Sequence, residues 1–226
     1  MNRNRSPLFI TAGILVALGA LLTYISGYYV DWLWFKSVDF TSVWSKVLIT
    51  KVELFVLVGV VTSFVISLNI YLAFKRRPLY VPTSIEVSGL ERLRAQIEPI
   101  RRWVFIAVVV VLTYFAGTSG MVFWREWLLF RNSTNFGAKD PQFGLDISFF
   151  VFKLPMLQAI IGWGISTLVL ATLATAFIHY MYGGIRTTVQ TDRTTVAARV
   201  QISILLGLIV LLKAVAYWFD RYALAL

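Results

Sequence analysis

The sequence predicts an all-α, polytopic helical membrane protein with about five transmembrane helices and additional interfacial amphipathic helices. Hydrophobic residues make up 58% of the chain, whereas soluble domains are about 45–50% apolar, and the mean hydropathy is +0.76. These residues form long continuous runs, which indicate helices rather than the alternating strands of a barrel. A run of about 20 apolar residues crosses the hydrocarbon core as a helix and satisfies its own backbone hydrogen bonds there.

The first apolar run follows Arg3 and Arg5, as in a secretory signal. It continues without a charge from Leu8 to Val30, which is longer than the hydrophobic part of a signal peptide. We therefore predict an uncleaved first span at residues 8–29. Further spans are predicted at residues 54–74, 103–124, 156–182 and 200–219, all in one transmembrane domain that covers residues 1–226.

The distribution of Lys and Arg predicts the orientation in the membrane. The N-terminal tail and the segments after the second and fourth spans carry 12 of the 21 basic residues, whereas the opposite side carries 8. Basic residues accumulate on the cytoplasmic side. We expect a multi-pass protein of the plasma membrane, with its N-terminus in the cytoplasm and its C-terminus outside.

Composition also excludes several classes of function. The chain has no Cys and a single His, His179, which excludes disulfides, thiolate catalysis and a two-His metal site built from this chain alone. The net charge of +10 is explained by topology better than by a nucleic-acid surface. No nucleotide-binding, zinc-protease or nucleophile-elbow motif occurs. We therefore expect no enzyme, no catalytic residues, no metal, no cofactor and no nucleic acid.

Two extracytoplasmic loops are predicted, at residues 30–53 and 125–155. Seven aromatic residues crowd into residues 28–44, at the end of the first span and in the first loop, which indicates an interfacial helix or a half-buried loop; an aromatic groove for a substrate or lipid is the functional alternative. On the cytoplasmic side, apolar residues at helical spacing predict an amphipathic helix at about residues 88–102. That helix could lie on anionic lipid or dock a partner.

The longest turn-rich and aromatic-rich segment outside the spans is residues 132–155. Asp140 precedes Pro141, which favours a turn, and Gly137 and Gly144 supply further turn freedom. Asp140 and Asp146 could join a cation site with loop carbonyls. Their spacing is not that of an EF-hand, so we favour turn capping.

Three segments resemble a known family. The pattern FG-x-x-DP-x-FG-x-DISFF-x-F-x-LP at residues 136–155, the run DWLWFKSVDFTSVW at residues 31–44 and the run DRYAL at residues 220–224 are similar to uncharacterised protein family 0182. The resemblance implies a multi-pass cell-membrane protein of actinobacteria or cyanobacteria, with no established activity and no catalytic residues to carry over. Family members look several times longer, with a seven-span region before a large extracytoplasmic part, so we expect this chain to be the N-terminal part of a longer protein.

Lys213 is the main candidate functional residue because a charge within a span is costly. Snorkelling to the outer interface is the plainer interpretation, although helical side chains lean toward the N-terminus. Glu53, at the outer start of the second span, is its candidate carboxylate partner. Asp220 shares the Lys213 face but lies two turns away.

His179 ends a stripe of small and polar residues in the fourth span, at Thr167, Ala171, Thr175 and His179. Such stripes suit close helix packing with interhelical hydrogen bonds; a proton relay or pH sensor is the functional alternative. Gly59, Ser63 and Ser67 form a similar stripe in the second span.

These features favour a membrane-embedded structural or assembly module that anchors an extracytoplasmic region or binds envelope partners. The alternative is a component of a transporter or channel with Lys213 in or near its polar path. An enzyme acting on lipid-linked substrates is the least favoured, since no carboxylate constellation is recognisable. The expected partners are the lipid bilayer, envelope proteins or further copies of this chain.

Overall fold

The computed structural model describes residues 7–78, 95–186 and 193–222, with the backbone alone for residues 7–10. The helices are α1 (Pro7–Ser37), α2 (Thr41–Lys75), α3 (Arg101–Met121), α4 (Trp124–Arg131), α5 (Leu154–Met181) and α6 (Val196–Asp220). A 3₁₀ turn at Glu98–Ile100 precedes α3, and a π turn at Phe149–Lys153 precedes α5. Within the described ranges there is no strand beyond isolated bridges.

The structure confirms the predicted fold class. Among the described residues, five helical stretches are long and apolar enough to cross a membrane: Thr11–Ser37, Thr41–Lys75, Ala95–Met121, Phe149–Met181 and Val196–Asp220. Each overlaps most of one of the five spans predicted from the sequence. The hydrophobic run therefore locates each helix, while its ends are set by the turns between helices.

Residues 30–53, which we predicted to form an interfacial helix or a half-buried loop, are almost entirely helical. α1 continues to Ser37 and α2 begins at Thr41, so only residues 38–40 lie between them. Asp39 makes this turn with a φ of 60°, a left-handed conformation that Asp tolerates better than most residues. The aromatic residues extend α1 because none of them breaks a helix.

The chain divides into two compact units, Met1–Thr50 and Lys51–Leu226. In the first, aromatic side chains of α1 pair along the helix surface. The Tyr29 and Trp32 rings stack at 5.8 Å, and the Lys36 ammonium lies 5.0 Å from the centre of the Trp32 ring. These contacts have the three- and four-residue spacings at which helix side chains meet, consistent with an aromatic interfacial end.

In the second unit, glycines let α2 and α3 approach closely. A Cβ atom at Gly59 would lie 2.7 Å from the Thr113 carbonyl oxygen, and one at Gly117 would lie 2.6 Å from the Phe55 ring. Across the same contact the Ser63 and Thr113 hydroxyl groups lie 2.7 Å apart. The contact therefore requires small residues, as in membrane helix pairs generally.

α5 and α6 pack against each other and against α2. Ile66, Ala171 and Leu205 form the buried apolar cluster among these three helices. The predicted stripe on α5 (Thr167, Ala171, Thr175 and His179) is buried along its whole length.

The predicted amphipathic helix at residues 88–102 lies partly outside the described residues. From Ala95 onward the chain is helical and continues through the Glu98–Ile100 turn into α3. Pro99 lies in that turn, where a missing backbone N–H is tolerated.

Candidate functional site

The best-defined site outside the long helices is the segment between α4 and α5, residues 132–153, which we call the cap segment. Asp140 organises its first turn. The backbone N–H groups of Gln142 and Phe143 donate to the Asp140 carboxylate at 2.9 and 2.7 Å. The Gly144 N–H donates to the Asp140 carbonyl, and the Asp140 N–H donates to the Leu145 carbonyl. Asp140 therefore closes the turn from both ends, as Asp commonly does.

Asp146 holds the two ends of the cap segment together. One carboxylate oxygen accepts from the N–H groups of Phe136 and Ser148 at 3.1 and 2.8 Å, and the other accepts from the Gly137 N–H at 2.9 Å. The Ser148 side chain, followed by these backbone donors, lowers the pKa of Asp146 to about 2. Hydrogen bonds to a charged carboxylate have this effect because they stabilise the ionised form.

Two glycines are required by the backbone of the cap segment. Gly137 and Gly144 have φ values of 77° and 66°. Glycine adopts this left-handed region without the steric cost that a Cβ brings. Among the described residues, no three His, Asp or Glu side chains come together as a group that could hold a metal ion.

An aromatic cluster joins the cap segment to the C-terminal end of α6. The ring of Tyr222 lies 5.0 Å from that of Phe143, 5.4 Å from Phe149 and 6.2 Å from Phe150. Phe219 adds a further contact to Tyr222 at 6.3 Å. Phe150 is only 4% exposed. These edge-to-face pairs are favoured by ring electrostatics, and they connect residues that lie far apart in the sequence.

The structure does not bring together Lys213 and its candidate partners. Lys213 is exposed, and its ammonium lies 4.9 Å from the centre of the Tyr217 ring, toward the C-terminal end of α6. Glu53 instead faces Arg131, with 3.9 Å between carboxylate and guanidinium, and both are about half exposed. Asp220 is exposed at the end of α6.

His179 belongs to a buried hydrogen-bond network that joins three helices. Its Nε2 atom lies 3.1 Å from the Gln201 side-chain oxygen, and the Gln201 amide donates to the Asn69 carbonyl at 3.0 Å. His179 is 1% and Gln201 6% exposed. A Cβ atom at Gly184 would lie 2.9 Å from His179 Nδ1, so the backbone after α5 covers the imidazole directly.

A second set of polar contacts lies nearer the N-terminal end of α2. The Trp163 indole donates to the Thr62 hydroxyl at 2.8 Å, and that hydroxyl lies 3.5 Å from the Thr167 hydroxyl. The hydroxyl groups of Ser67 and Thr175 are buried with no hydrogen-bond partner among the described residues.

Several of these residues were not selected from the sequence. Asn69 and Gln201 are amides within otherwise apolar runs, and that isolation is a signal which could have found them. Tyr222 carries no such signal, because its role depends on a contact with Phe143, which is distant in the chain.

Comparison with known proteins places these features in a family. The model of the uncharacterised protein family UPF0182 matches residues 8–226. A UPF0182 protein of Streptomyces coelicolor is 40% identical over 99% of this chain, and one of Nocardioides sp. is 44% identical over 99%. One of Salinispora tropica is 44% identical over 96%. No solved structure matches the chain.

In each of these comparisons the chain spans 22% of the relative's length. The family match extends over both units and includes the cap segment and the end of α6. This chain therefore belongs to the uncharacterised protein family UPF0182.

Proposed function

We propose that this chain is a membrane-embedded structural module that anchors an extracytoplasmic region or envelope partner on the side of the cap segment. The observation that carries the proposal is the packing of Tyr222 against Phe143, Phe149 and Phe150. Tyr222 follows α6 directly. This contact supports a module in which an ordered cap fixes the direction of the chain beyond α6.

The internal construction of the cap segment supports the same role. Asp140 and Asp146 use their carboxylates to hold turns of the cap itself. A segment organised in this way is a rigid platform rather than an open loop, because its backbone donors are satisfied internally. A rigid platform loses little conformational freedom when it binds a partner.

The length of the relatives is consistent with an anchoring role. They are more than four times as long as the part that this chain matches. We place the module in the plasma membrane with its N-terminus in the cytoplasm, on the distribution of Lys and Arg.

Tyr222→Ala tests the proposal in the full-length protein in its own cells. We expect the variant to remain in the membrane at the normal amount, since the five long apolar helices are unchanged. Protease added to intact cells should then cleave the region beyond α6 faster, and envelope partners captured by an impermeant crosslinker should decrease.

The matched control is Tyr217→Ala, which removes an exposed tyrosine of the same helix that is 66% accessible. It should behave as the wild type does. Equal protease sensitivity and equal partner capture for both variants would refute the anchoring role.

The alternative function is a component of a transporter or channel. The observation that favours it is the series of buried polar side chains on α2, α5 and α6, which includes the unpartnered hydroxyl groups of Ser67 and Thr175. Such groups line pathways as well as packing interfaces. This path would run past His179 and not past Lys213, which is exposed.

A further inference from the structure

A groove of about 350 Å³ lies between α2, the C-terminal end of α3, α4 and α5; we call it the side groove. Leu54 and Leu57 line it from α2, Phe123 and Trp127 line it near α4, and Gly162 and Ser166 line it from α5. It lies wholly within the second unit of the chain. Its walls are therefore mainly apolar, with small residues along one side.

The α5 wall is open because of its small residues. A Cβ atom at Gly162 would meet nothing within 4 Å. The Ser166 hydroxyl donates to the Gly162 carbonyl at 2.9 Å, so its polar atom is satisfied within the helix. This wall provides contact area for an apolar occupant, and the Ser166 hydroxyl does not need a hydrogen bond from that occupant.

Two cations lie one helical turn from residues that line the side groove, and one lining residue has an unused donor. Lys51 lies one helical turn before Leu54, and Arg131 lies one turn after Trp127. The Trp127 indole N–H is buried and has no hydrogen-bond partner within the described ranges. A buried N–H without a partner is costly, so a ligand that accepts from it would be stabilised.

The charges near these residues favour an anion. Residues 51–54 and α4 together contain three cations (Lys51, Arg125 and Arg131) and two carboxylates (Glu53 and Glu126). Lys51 lies over the ring of Trp124 at 5.6 Å, and Arg131 makes only a long contact of 3.9 Å with Glu53. Both cations remain able to contact a phosphate.

The size of the side groove favours an acyl chain over a helix as its occupant. A further membrane-spanning helix is about 10 Å wide, and the side groove at about 350 Å³ is too small to enclose one. A single acyl chain is narrow, apolar and flexible enough to fill it. We infer that the side groove binds an anionic phospholipid, with one acyl chain along Gly162 and Ser166 and its phosphate at the Lys51 and Arg131 end.

Native mass spectrometry of the full-length protein, purified in mild detergent and stripped of lipid, tests this site. Phosphatidylglycerol and phosphatidylcholine with identical acyl chains are added at equal concentration. We expect phosphatidylglycerol to be retained in preference by about tenfold, equivalent to about 1.4 kcal/mol. Equal retention of the two lipids would overturn the headgroup assignment.

Gly162→Leu tests the acyl-chain position by filling the groove. The new side chain projects into open space, so the helix should accept it. Gly207→Leu is the matched control, because a Cβ at Gly207 also meets nothing within 4 Å and Gly207 does not line the groove. Lipid retention should fall for Gly162→Leu alone; equal retention by both variants would refute the site.

Lys51→Gln and Arg131→Gln test the headgroup end. Each should reduce the preference for phosphatidylglycerol while leaving retention of phosphatidylcholine unchanged. Lys139→Gln, in the exposed part of the cap segment, is the control and should keep the preference. If the stripped wild type retains neither lipid, a protein segment or nothing occupies the groove, and the inference fails.

Discussion

At the scale of single residues, Asp146 shows how one side chain organises a segment. Three backbone N–H groups converge on its carboxylate, and the pKa of the group falls from 3.8 to about 2. The ionised form of Asp146 is therefore more stable in the folded cap segment than in the unfolded chain. A group with a lowered folded-state pKa stabilises the fold above its unfolded pKa and loses that effect as the pH falls.

Asp146→Asn should therefore destabilise the cap segment most at a pH above the ordinary aspartate value of 3.8. The amide cannot accept from all three donors with the strength of a carboxylate. The thermal stability of the variant and of the wild type should converge as the pH falls toward 2, where Asp146 becomes protonated. A difference in melting temperature that stays constant between pH 5 and pH 2 would contradict this assignment.

Lys213→Met should be tolerated or stabilising, because Lys213 is exposed and its ammonium reaches the Tyr217 ring rather than a carboxylate. Removing a charge from a span lowers the insertion cost by up to about 3 kcal/mol. Thermal unfolding in detergent measures the stability. Loss of a reconstituted flux with unchanged folding would place Lys213 in a transport path, and it would contradict both this expectation and a path that runs only past His179.

At the scale of helices, close packing of α2 against α3 depends on glycine. Gly59, Gly117 and Gly120 each face a neighbouring atom at a distance that leaves no space for a Cβ. The sequence revealed part of this interface, since Gly59 and Ser63 form a small-residue stripe. It did not identify the facing glycines on α3, Gly117 and Gly120, because only the tertiary contact distinguishes them from surface glycines.

Gly117→Leu should separate α2 from α3, because its Cβ would already lie 2.6 Å from the Phe55 ring. Overpacking of this kind costs about 1–3 kcal/mol or more. Gly207→Leu is again the control, since that glycine faces open space. A melting temperature in detergent that falls equally for both variants would show that the loss is not due to this contact.

The residues joining α1 and α2 show that a membrane span and the helix that contains it have different ends. Length arguments end a span where the hydrocarbon core ends, whereas the helix ends where a residue can turn the chain. α1 runs on to Ser37, and Asp39 makes the turn. Aromatic residues mark the membrane interface, but they do not stop a helix.

At the scale of the molecule, the number and type of the long apolar helices follow from the continuous apolar runs in the sequence, since each run lies largely within one such helix. The contacts between spans do not. The Gln201–Asn69 bond and the Tyr222–Phe143 packing join residues distant in the chain. They are specified by how the helices pack, and a single sequence carries no direct record of that packing.

We propose that the cap segment lies outside the cell, where it positions an extracytoplasmic region. This chain contains no Cys, so an introduced cysteine is the single thiol of this region that a reagent can label. Ala138→Cys lies in the exposed part of the cap segment, and Val196→Cys lies at the exposed start of α6. The long apolar helix α5 lies between the two positions, so we expect them on opposite sides of the membrane.

The most direct test is to treat intact cells that carry each variant with an impermeant maleimide. We expect Ala138→Cys to be labelled at once and Val196→Cys to be labelled only after the cells are opened. Labelling of Val196→Cys on intact cells, with Ala138→Cys protected, would place the cap segment in the cytoplasm and contradict the proposed role.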